Sequence, residues 1–149
     1  MQKMKFLSVI SVGLLFLLLS ACQSTATQTS NSATSEVGQV IPVDGGSYRD
    51  ISVTEFQTLI KNKDFTLVNV HIPFEGNLSK TDLSIPYDTI TQNLDKLPGD
   101  KNSKIVLYCR SGRMSTIASK ELVKLGYTNI WNLSGGMIAW EQAGFTVEK

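Results

Sequence analysis

The chain has 149 residues and a net charge of +1, and its 14 basic and 13 acidic residues are mixed throughout. This balance excludes the concentrated basic patch that a nucleic-acid-binding surface requires. One histidine and two cysteines form no His/Cys cluster of the kind that binds zinc or another transition metal, so we expect neither a metal site nor a cofactor.

The first 21 residues have the pattern of an export signal. Lys3 and Lys5 precede an apolar stretch over residues 6–19, which is shorter than the roughly 20 apolar residues of a typical membrane span. The sequence Leu19-Ser20-Ala21-Cys22 resembles the lipobox of bacterial lipoproteins. This resemblance implies cleavage before Cys22, lipidation of Cys22 and attachment to a membrane outside the cytoplasm. An ordinary signal peptide or an uncleaved anchor is the alternative.

Residues 22–46 are predicted to be a flexible tether. They are rich in Ser, Thr, Gln and Asn and nearly without large apolar side chains. Such a segment cannot bury enough surface to offset the entropy lost on ordering. The remaining residues, 47–149, are predicted to be one domain with a single hydrophobic core.

Helical and strand patterns alternate along this domain. Ser52 and Glu55 form a capping-box pattern, and the apolar residues that follow have helical spacing. β-branched residues predict a strand over residues 65–72. Residues 87–97 predict a second helix, which Pro98 and Gly99 end.

The second half of the domain continues the alternation. A strand is predicted over residues 104–109 and another over 129–133, followed by Gly135-Gly136 and a short helix. The helix predicted over residues 114–125 has five inward positions and a C-terminal cap at Gly126, the inward residues being Met114, Ile117, Ala118, Leu122 and Leu125. Together these patterns predict an α/β fold with a parallel sheet of about five strands and helices on both faces.

Ligands of such sheets bind at the carboxyl ends of the strands. Cys109 ends one predicted strand, His71 lies at the end of another, and Ser134-Gly135-Gly136 follow a third. We expect these segments to line one solvent-accessible crevice. His71 is a possible polar partner there, although a structural role is favoured. Glu75 is either a gate at the entrance or, by default, a solvated carboxylate.

Cys109 is predicted to be a catalytic nucleophile. It lies on a strand-to-helix loop that contains Gly112, and Arg110 and Arg113 lie beside it in sequence. Backbone N–H groups and the dipole at a helix start favour an anion, so the thiol is expected to favour the reactive thiolate form. An unpaired thiol in an exported protein also calls for a chemical explanation.

Two segments of the domain resemble a single-domain rhodanese, namely YCRSGRMSTIASKEL and LGYTNIWNLSGGMIAWEQAGF. The resemblance implies a rhodanese-like fold and a persulfide formed on Cys109 and held by the loop. The loop residues implied to bind substrate are Arg110, Ser111, Gly112, Arg113, Met114 and Ser115. Two positions depart from the family pattern: Met114 stands where many rhodaneses have Arg, and Asn69-Val70-His71 replaces Asp-Val-Arg.

The loop side chains have alternative roles. Arg110 or Arg113 is expected to bind the sulfonate end of thiosulfate. Gly112 either turns N–H groups inward or is a plain turn glycine. Ser111 and Ser115 are expected to hydrogen-bond within the loop, and a simple helix N-cap is equally compatible with Ser115.

The predicted function is a sulfurtransferase that moves sulfane sulfur from thiosulfate or a related donor to a thiophilic acceptor through a Cys109 persulfide. The expected partners are a small sulfur-containing anion, a thiol acceptor and, through Cys22, a membrane. Two alternatives stay open. A cysteine phosphatase or arsenate reductase is disfavoured because Ser115 stands where their loops close with Arg. The other is a non-catalytic rhodanese-like module that binds a partner or senses redox state.

Overall fold

Residues 36–149, which the computed structural model describes, fold around one six-stranded sheet. The strands are β1 (Gln39–Val43), β2 (Gly46–Ile51), β3 (Thr66–Asn69), β4 (Leu83–Ser84), β5 (Ile105–Tyr108) and β6 (Ile130–Leu133). The helices are α1 (Val53–Lys61), α2 (Arg113–Lys124) and α3 (Gly136–Gln142), with short 3₁₀ helices at Ile90–Gln92 and Leu94–Lys96. The predicted export signal, Cys22 and most of the predicted tether lie outside the described residues.

The strand order is β1-β2-β6-β5-β3-β4, and β5 lies between β6 and β3. All neighbouring strands are parallel except β1 and β2, which form an antiparallel hairpin. Because parallel strands end at the same edge, the segments after β3, β5 and β6 emerge side by side. The predicted α/β class is confirmed, with one antiparallel strand and six strands in place of about five.

Helices cover both faces of the sheet, and the strands alternate between them. On β5, Ile105 and Leu107 pack in the cluster that α2 covers, whereas Val106 and Tyr108 pack in the cluster that includes side chains of α1 and α3. All four are fully buried. Burial of such side chains contributes about 1.5–3 kcal/mol each, so these two layers hold the central strand and the residue that follows it.

Local signals placed most elements correctly. The capping box at Ser52 and Glu55 begins α1 as predicted, and Gly126, with φ 89°, follows the end of α2. Two inward positions predicted for that helix are wrong, because Ile117 and Leu125 are each 37% exposed. The predicted tether is also wrong at its end, since residues 39–43 form β1, residues 44–45 form the turn and Gly46 begins β2.

No helix within residues 36–149 is both long enough and apolar enough to cross a bilayer. In the same part of the chain, no group of three or more His, Cys, Asp or Glu side chains is placed to hold a metal ion.

Candidate active site

Cys109 directly follows the central strand β5 and is buried. It continues the alternation of Ile105 and Leu107 and joins the apolar cluster on the α2 face. Only 1% of its surface is exposed. The prediction of a sulfur that is open to a crevice is therefore wrong for this conformation. The reason is that the alternation of the strand carries one residue beyond its end and turns the thiol into the core.

Two neutral groups contact the Cys109 sulfur. The Gly112 backbone N–H donates to Sγ over 3.1 Å, and the Ser115 Oγ lies 3.5 Å from Sγ. Ser115 Oγ is also 3.0 Å from the Gly112 carbonyl oxygen, so its single proton has two acceptors to choose from. A negatively charged sulfur attracts this proton, because hydrogen bonds to ionised acceptors are the stronger ones.

Gly112 directs its N–H at the sulfur through a left-handed backbone. Its φ is +92°, and it is the N-cap residue of α2. A side chain is disfavoured at this φ, and a Cβ would also lie 3.2 Å from the Gly135 nitrogen. Within the described residues, Gly112 has the one backbone N–H that hydrogen-bonds to Sγ, whereas the sequence predicted several such donors.

The start of α3 supports the cysteine loop from its other side. The Met137 N–H donates to the Cys109 carbonyl oxygen and the Ile138 N–H donates to the Arg110 carbonyl oxygen, each over 2.9 Å. Gly136 allows this approach, since a Cβ there would lie 2.1 Å from the Cys109 carbonyl oxygen. The Gly135-Gly136 turn therefore fixes the backbone of the cysteine loop.

Glu75 connects the loop after β3 to the cysteine loop. Its carboxylate forms an ion pair with the Arg110 guanidinium, and its Oε1 lies 3.5 Å from His71 Nε2. Loss of solvent works against ionisation, but the hydrogen bond from Arg110, the nearby His71 ring and the charge of Arg110 hold the pKa of Glu75 below its ordinary value. Glu75 is therefore an anion that neutralises Arg110 at neutral pH.

His71 has a nearly buried side chain that is 6% exposed. Neither ring nitrogen has a hydrogen-bond partner within the described chain. The His71 backbone N–H donates to Asn69 Oδ1 over 2.9 Å, and Asn69 Nδ2 donates in turn to the Gly76 carbonyl oxygen over 2.8 Å. Asn69 thus shapes the turn that carries both His71 and Glu75.

The two loop arginines line different cavities. Arg110 lines a cavity of about 560 Å³ together with Phe74, Glu75 and Met137. Arg113 lines a shallower cavity of about 510 Å³ together with Asp50, Ser111 and Gly112. Cys109 lines neither cavity. The predicted site residues are therefore close in the chain, but the structure does not direct both cations at the sulfur.

The remaining predicted loop residues divide between surface and core. Ser111 is exposed, whereas Met114 is half-buried and packs against the cluster on the α2 face. Ser115 is fully buried next to the sulfur.

Glu75 contacts both Arg110 and His71, whereas the sequence by default predicted a solvated carboxylate. Its four-residue spacing from His71 was the available signal, but the intervening segment is not helical, so that spacing did not predict a contact. Its contact with Arg110 spans 35 positions in the chain and appears only in the folded structure.

The fold and this loop define an α/β protein that presents a buried cysteine at the carboxyl edge of a mostly parallel sheet. The family model described as "Rhodanese-like domain" matches residues 52–143. This is most of the chain, and the chain therefore belongs to the rhodanese family.

Relatives and a solved structure agree with this assignment. A protein named "Sulfurtransferase" from Allochromatium vinosum is 33% identical over 93 residues, covering 61% of this chain and 85% of that protein. A putative mitochondrial thiosulfate sulfurtransferase from Schizosaccharomyces pombe is 31% identical over 113 residues, covering 62% of this chain and 79% of that protein. The crystal structure of a rhodanese-related protein from Thermoplasma volcanium has a TM-score of 0.58 and 29% identity, covering 67% of this chain and 97% of that one. The family and these relatives support sulfur transfer as the general class of activity.

Proposed function

We propose that this protein is a sulfurtransferase that carries sulfane sulfur as a persulfide on Cys109. Thiosulfate or a related small sulfur compound is the donor, and a thiophilic group such as a thiol is the acceptor. The observation that carries the proposal is the 3.1 Å hydrogen bond from the Gly112 N–H to Cys109 Sγ at the start of α2. Such a donor stabilises an anionic sulfur without needing a general base.

The reaction has two displacement steps. The Cys109 thiolate attacks the sulfane sulfur of the donor, a new S–S bond forms on Cys109, and the donor's bond breaks with its electron pair leaving on the donor remnant. The acceptor then attacks the outer sulfur of the persulfide and regenerates the Cys109 thiolate. The attacking thiolate and the persulfide that it forms both have negatively charged sulfur, which is the charge that the Gly112 N–H and the Ser115 hydroxyl are placed to stabilise.

Turnover requires a local opening of the cysteine loop, because Cys109 is 1% exposed. Unlike Cys109, the residues on either side of Gly112, Ser111 and Arg113, are exposed. In contrast, α3 holds the Cys109 and Arg110 carbonyl groups through its first amides. The proposed opening therefore moves the outer part of the loop, residues 111 and 112, while the Cys109 and Arg110 carbonyl groups stay fixed.

The proposed location is the outer side of a bacterial membrane, with lipid on Cys22 as the anchor. The support is the order of charged start, apolar stretch and lipobox-like Leu19-Ser20-Ala21-Cys22. Membrane fractionation of cells that express the full chain tests this. We expect the protein to be found in the membrane fraction, and we expect the Cys22→Ser variant either to keep its signal peptide or to be released from the membrane. If the two proteins fractionated identically and neither contained lipid, the proposed anchor would be contradicted.

The sulfur-carrying step is tested by mass spectrometry of the folded, reduced protein after exposure to thiosulfate, mercaptopyruvate or a polysulfide. We expect a mass gain of one sulfur atom that maps to the peptide containing Cys109 and is absent in Cys109→Ser. A folded protein that gains no sulfur from any of these donors would contradict the proposal.

The burial of Cys109 favours a second candidate, a rhodanese-like module that binds a partner or senses redox state without turnover. A phenotype of the intact protein that Cys109→Ser retains in full would support a binding module. A phenotype that depends on Cys109 while no sulfur is transferred would support a sensor.

A further inference from the structure

We propose that Glu75 determines donor specificity by occupying Arg110, so that Cys109 accepts sulfur from a persulfide or hydropolysulfide in preference to thiosulfate. This inference rests on the proposed function, since it concerns which donor loads Cys109.

Arg110, the residue next to Cys109, is already neutralised. Its guanidinium pairs with the Glu75 carboxylate, whose other oxygen is 3.5 Å from His71 Nε2. Glu75 stays ionised at neutral pH because these neighbours hold its pKa below its ordinary value. A sulfonate that approaches Arg110 must displace a carboxylate that the fold already supplies, so it gains little from this cation.

Arg113, the second loop arginine, faces a different cavity. Asp50 and Ser111 line that cavity, whereas Glu75 and Arg110 do not. Within residues 36–149, Arg113 has no ion pair with an acidic side chain, but it does not line the Arg110 cavity. It is therefore not placed to offset charge at an anion that enters beside Glu75.

The surroundings of the sulfur are uncharged. Its two hydrogen-bond donors are a backbone N–H and a hydroxyl, and its cluster includes the half-buried side chains of Tyr87 and Met114. Such a site suits a donor with one negative charge and an apolar remainder. A dianion must leave water for this environment without a free cation, and this desolvation is costly.

The two donors differ in charge but share one displacement. With a persulfide, the Cys109 thiolate and RSS⁻ give the Cys109 persulfide anion and RS⁻, whose electron pair comes from the broken S–S bond. With thiosulfate, the same attack releases sulfite, SO₃²⁻. The thiolate and thiosulfate together have one more negative charge than the thiolate and the persulfide. Glu75 disfavours this added charge, because it pairs with the Arg110 guanidinium that would otherwise offset it.

The test compares two donors, benzyl persulfide generated in situ, which has one negative charge and an apolar remainder, and thiosulfate, on the same preparations of full-length protein, with a thiol as acceptor. We expect the wild type to have a higher kcat/KM with the persulfide. In Glu75→Gln, the ratio of thiosulfate to persulfide kcat/KM is expected to rise about tenfold, the scale of one charge-assisted hydrogen bond. Because both donors are measured on one preparation, a folding defect lowers both values and leaves the ratio unchanged.

Two further variants separate Arg110 from general charge effects. Glu121→Gln is the matched control, since Glu121 pairs with Lys124 on the surface of α2 and lines neither cavity. Its donor ratio is expected to equal that of the wild type. The double variant Glu75→Gln with Arg110→Gln is expected to lose the gain in thiosulfate use, because the gain requires the released guanidinium.

The outcomes are distinguishable. Equal or better use of thiosulfate by the wild type, or an unchanged donor ratio in Glu75→Gln, overturns this inference and leaves the proposed function intact. Failure of both donors to load Cys109 overturns the proposed function and this inference with it.

Discussion

Ser115 contacts the Cys109 sulfur with its hydroxyl, and its replacement by alanine tests whether this contact supports the persulfide. The proton is shared between Sγ and the Gly112 carbonyl oxygen, 3.5 Å and 3.0 Å away. A hydrogen bond to a charged group is worth about 1.5–3 kcal/mol, so Ser115→Ala is expected to slow sulfur loading about tenfold or more. Stopped reactions analysed by mass spectrometry measure this rate.

Ser119 provides the matched control, one helical turn further along α2. It is also fully buried, but its hydroxyl has no hydrogen-bond partner within the described residues. Ser119→Ala is expected to load at the wild-type rate. Equal rates for the two alanine variants would show that the Ser115 hydroxyl has no role in the chemistry.

Gly136 is the position where a single methyl group does the most damage to the site. A Cβ there would lie 2.1 Å from the Cys109 carbonyl oxygen, and that neighbour is backbone. Gly136→Ala is expected to lower the free energy of unfolding by about 2 kcal/mol or more, since backbone strain is added to overpacking. Urea unfolding measures the loss.

Gly99→Ala is the control for this change, because nothing lies within 4 Å of a Cβ at Gly99. It is expected to leave stability unchanged within about 0.5 kcal/mol. If Gly136→Ala were as stable as Gly99→Ala, the close approach of α3 to the cysteine loop would be wrong.

Sequence patterns placed Cys109 correctly after a buried strand but did not predict its burial. Periodicity alone does not show whether the alternation of a strand continues past its last residue, and here it continues by one residue and turns the thiol into the core. The ion pair of Glu75 and Arg110 was equally hidden, because neither residue lies in a periodic segment with the other. Local pattern identifies a reactive residue type, whereas its neighbours come from the tertiary fold.

Glu55 links two elements, the start of the β1–β2 hairpin and the start of α1. Its carboxylate accepts from the Ser52 backbone N–H and from the Gly38 backbone N–H, each over 2.8 Å. These hydrogen bonds hold the pKa of Glu55 below its ordinary value, and the one from the Ser52 backbone has the largest effect. The stability that they contribute is present above the ordinary glutamate pKa and is lost as pH falls through the lower folded-state pKa.

Glu55→Gln is therefore expected to destabilise the protein at neutral pH, by about 1 kcal/mol, because one amide oxygen replaces two carboxylate oxygens. The difference from the wild type is expected to shrink in acid. Urea unfolding at neutral pH and below the folded-state pKa checks this. A difference that is the same at both values would contradict the assigned role of the carboxylate.

The predicted helix over residues 87–97 shows how a local hydrogen bond can override periodicity. The segment forms two 3₁₀ turns that meet at Asn93, whose Nδ2 donates to the Thr89 carbonyl oxygen over 2.8 Å. That carbonyl is the one an α-helix would use at this position, so the asparagine side chain competes with the helix. The apolar spacing of Ile90, Leu94 and Leu97 was real and still directs these residues to the core.

At the scale of the whole molecule, the sequence predicted the class of fold and missed where the domain begins. Polar composition suggested a tether as far as residue 46, yet β1 pairs with β2, and Ile41 and Val43 pack on the core cluster next to Tyr48. Four β-branched apolar residues at the end of a long polar stretch, Val37, Val40, Ile41 and Val43, are a weak local signal. Only pairing with the next strand makes the burial of Ile41 and Val43 favourable.

A chain that starts at Ser47 is therefore expected to be less stable than one that starts at Glu36. The shorter chain lacks β1 and therefore the packing of Ile41 and Val43 on the core. The partial burial of these two side chains contributes about 2–4 kcal/mol together. Comparison of the two chains by urea unfolding measures the difference. Equal stability would mean that β1 is not part of the folded domain.

Stoichiometric discharge of the loaded protein is the most direct test of the central claim, that Cys109 carries transferable sulfur. Protein with one added sulfur, freed of donor, is mixed with cyanide, and the protein mass and the thiocyanate formed are followed together. We expect each protein molecule to lose one sulfur from Cys109 as one thiocyanate appears. Thiocyanate that appears without loss from Cys109, or a persulfide that cyanide and thiols leave in place, would contradict it.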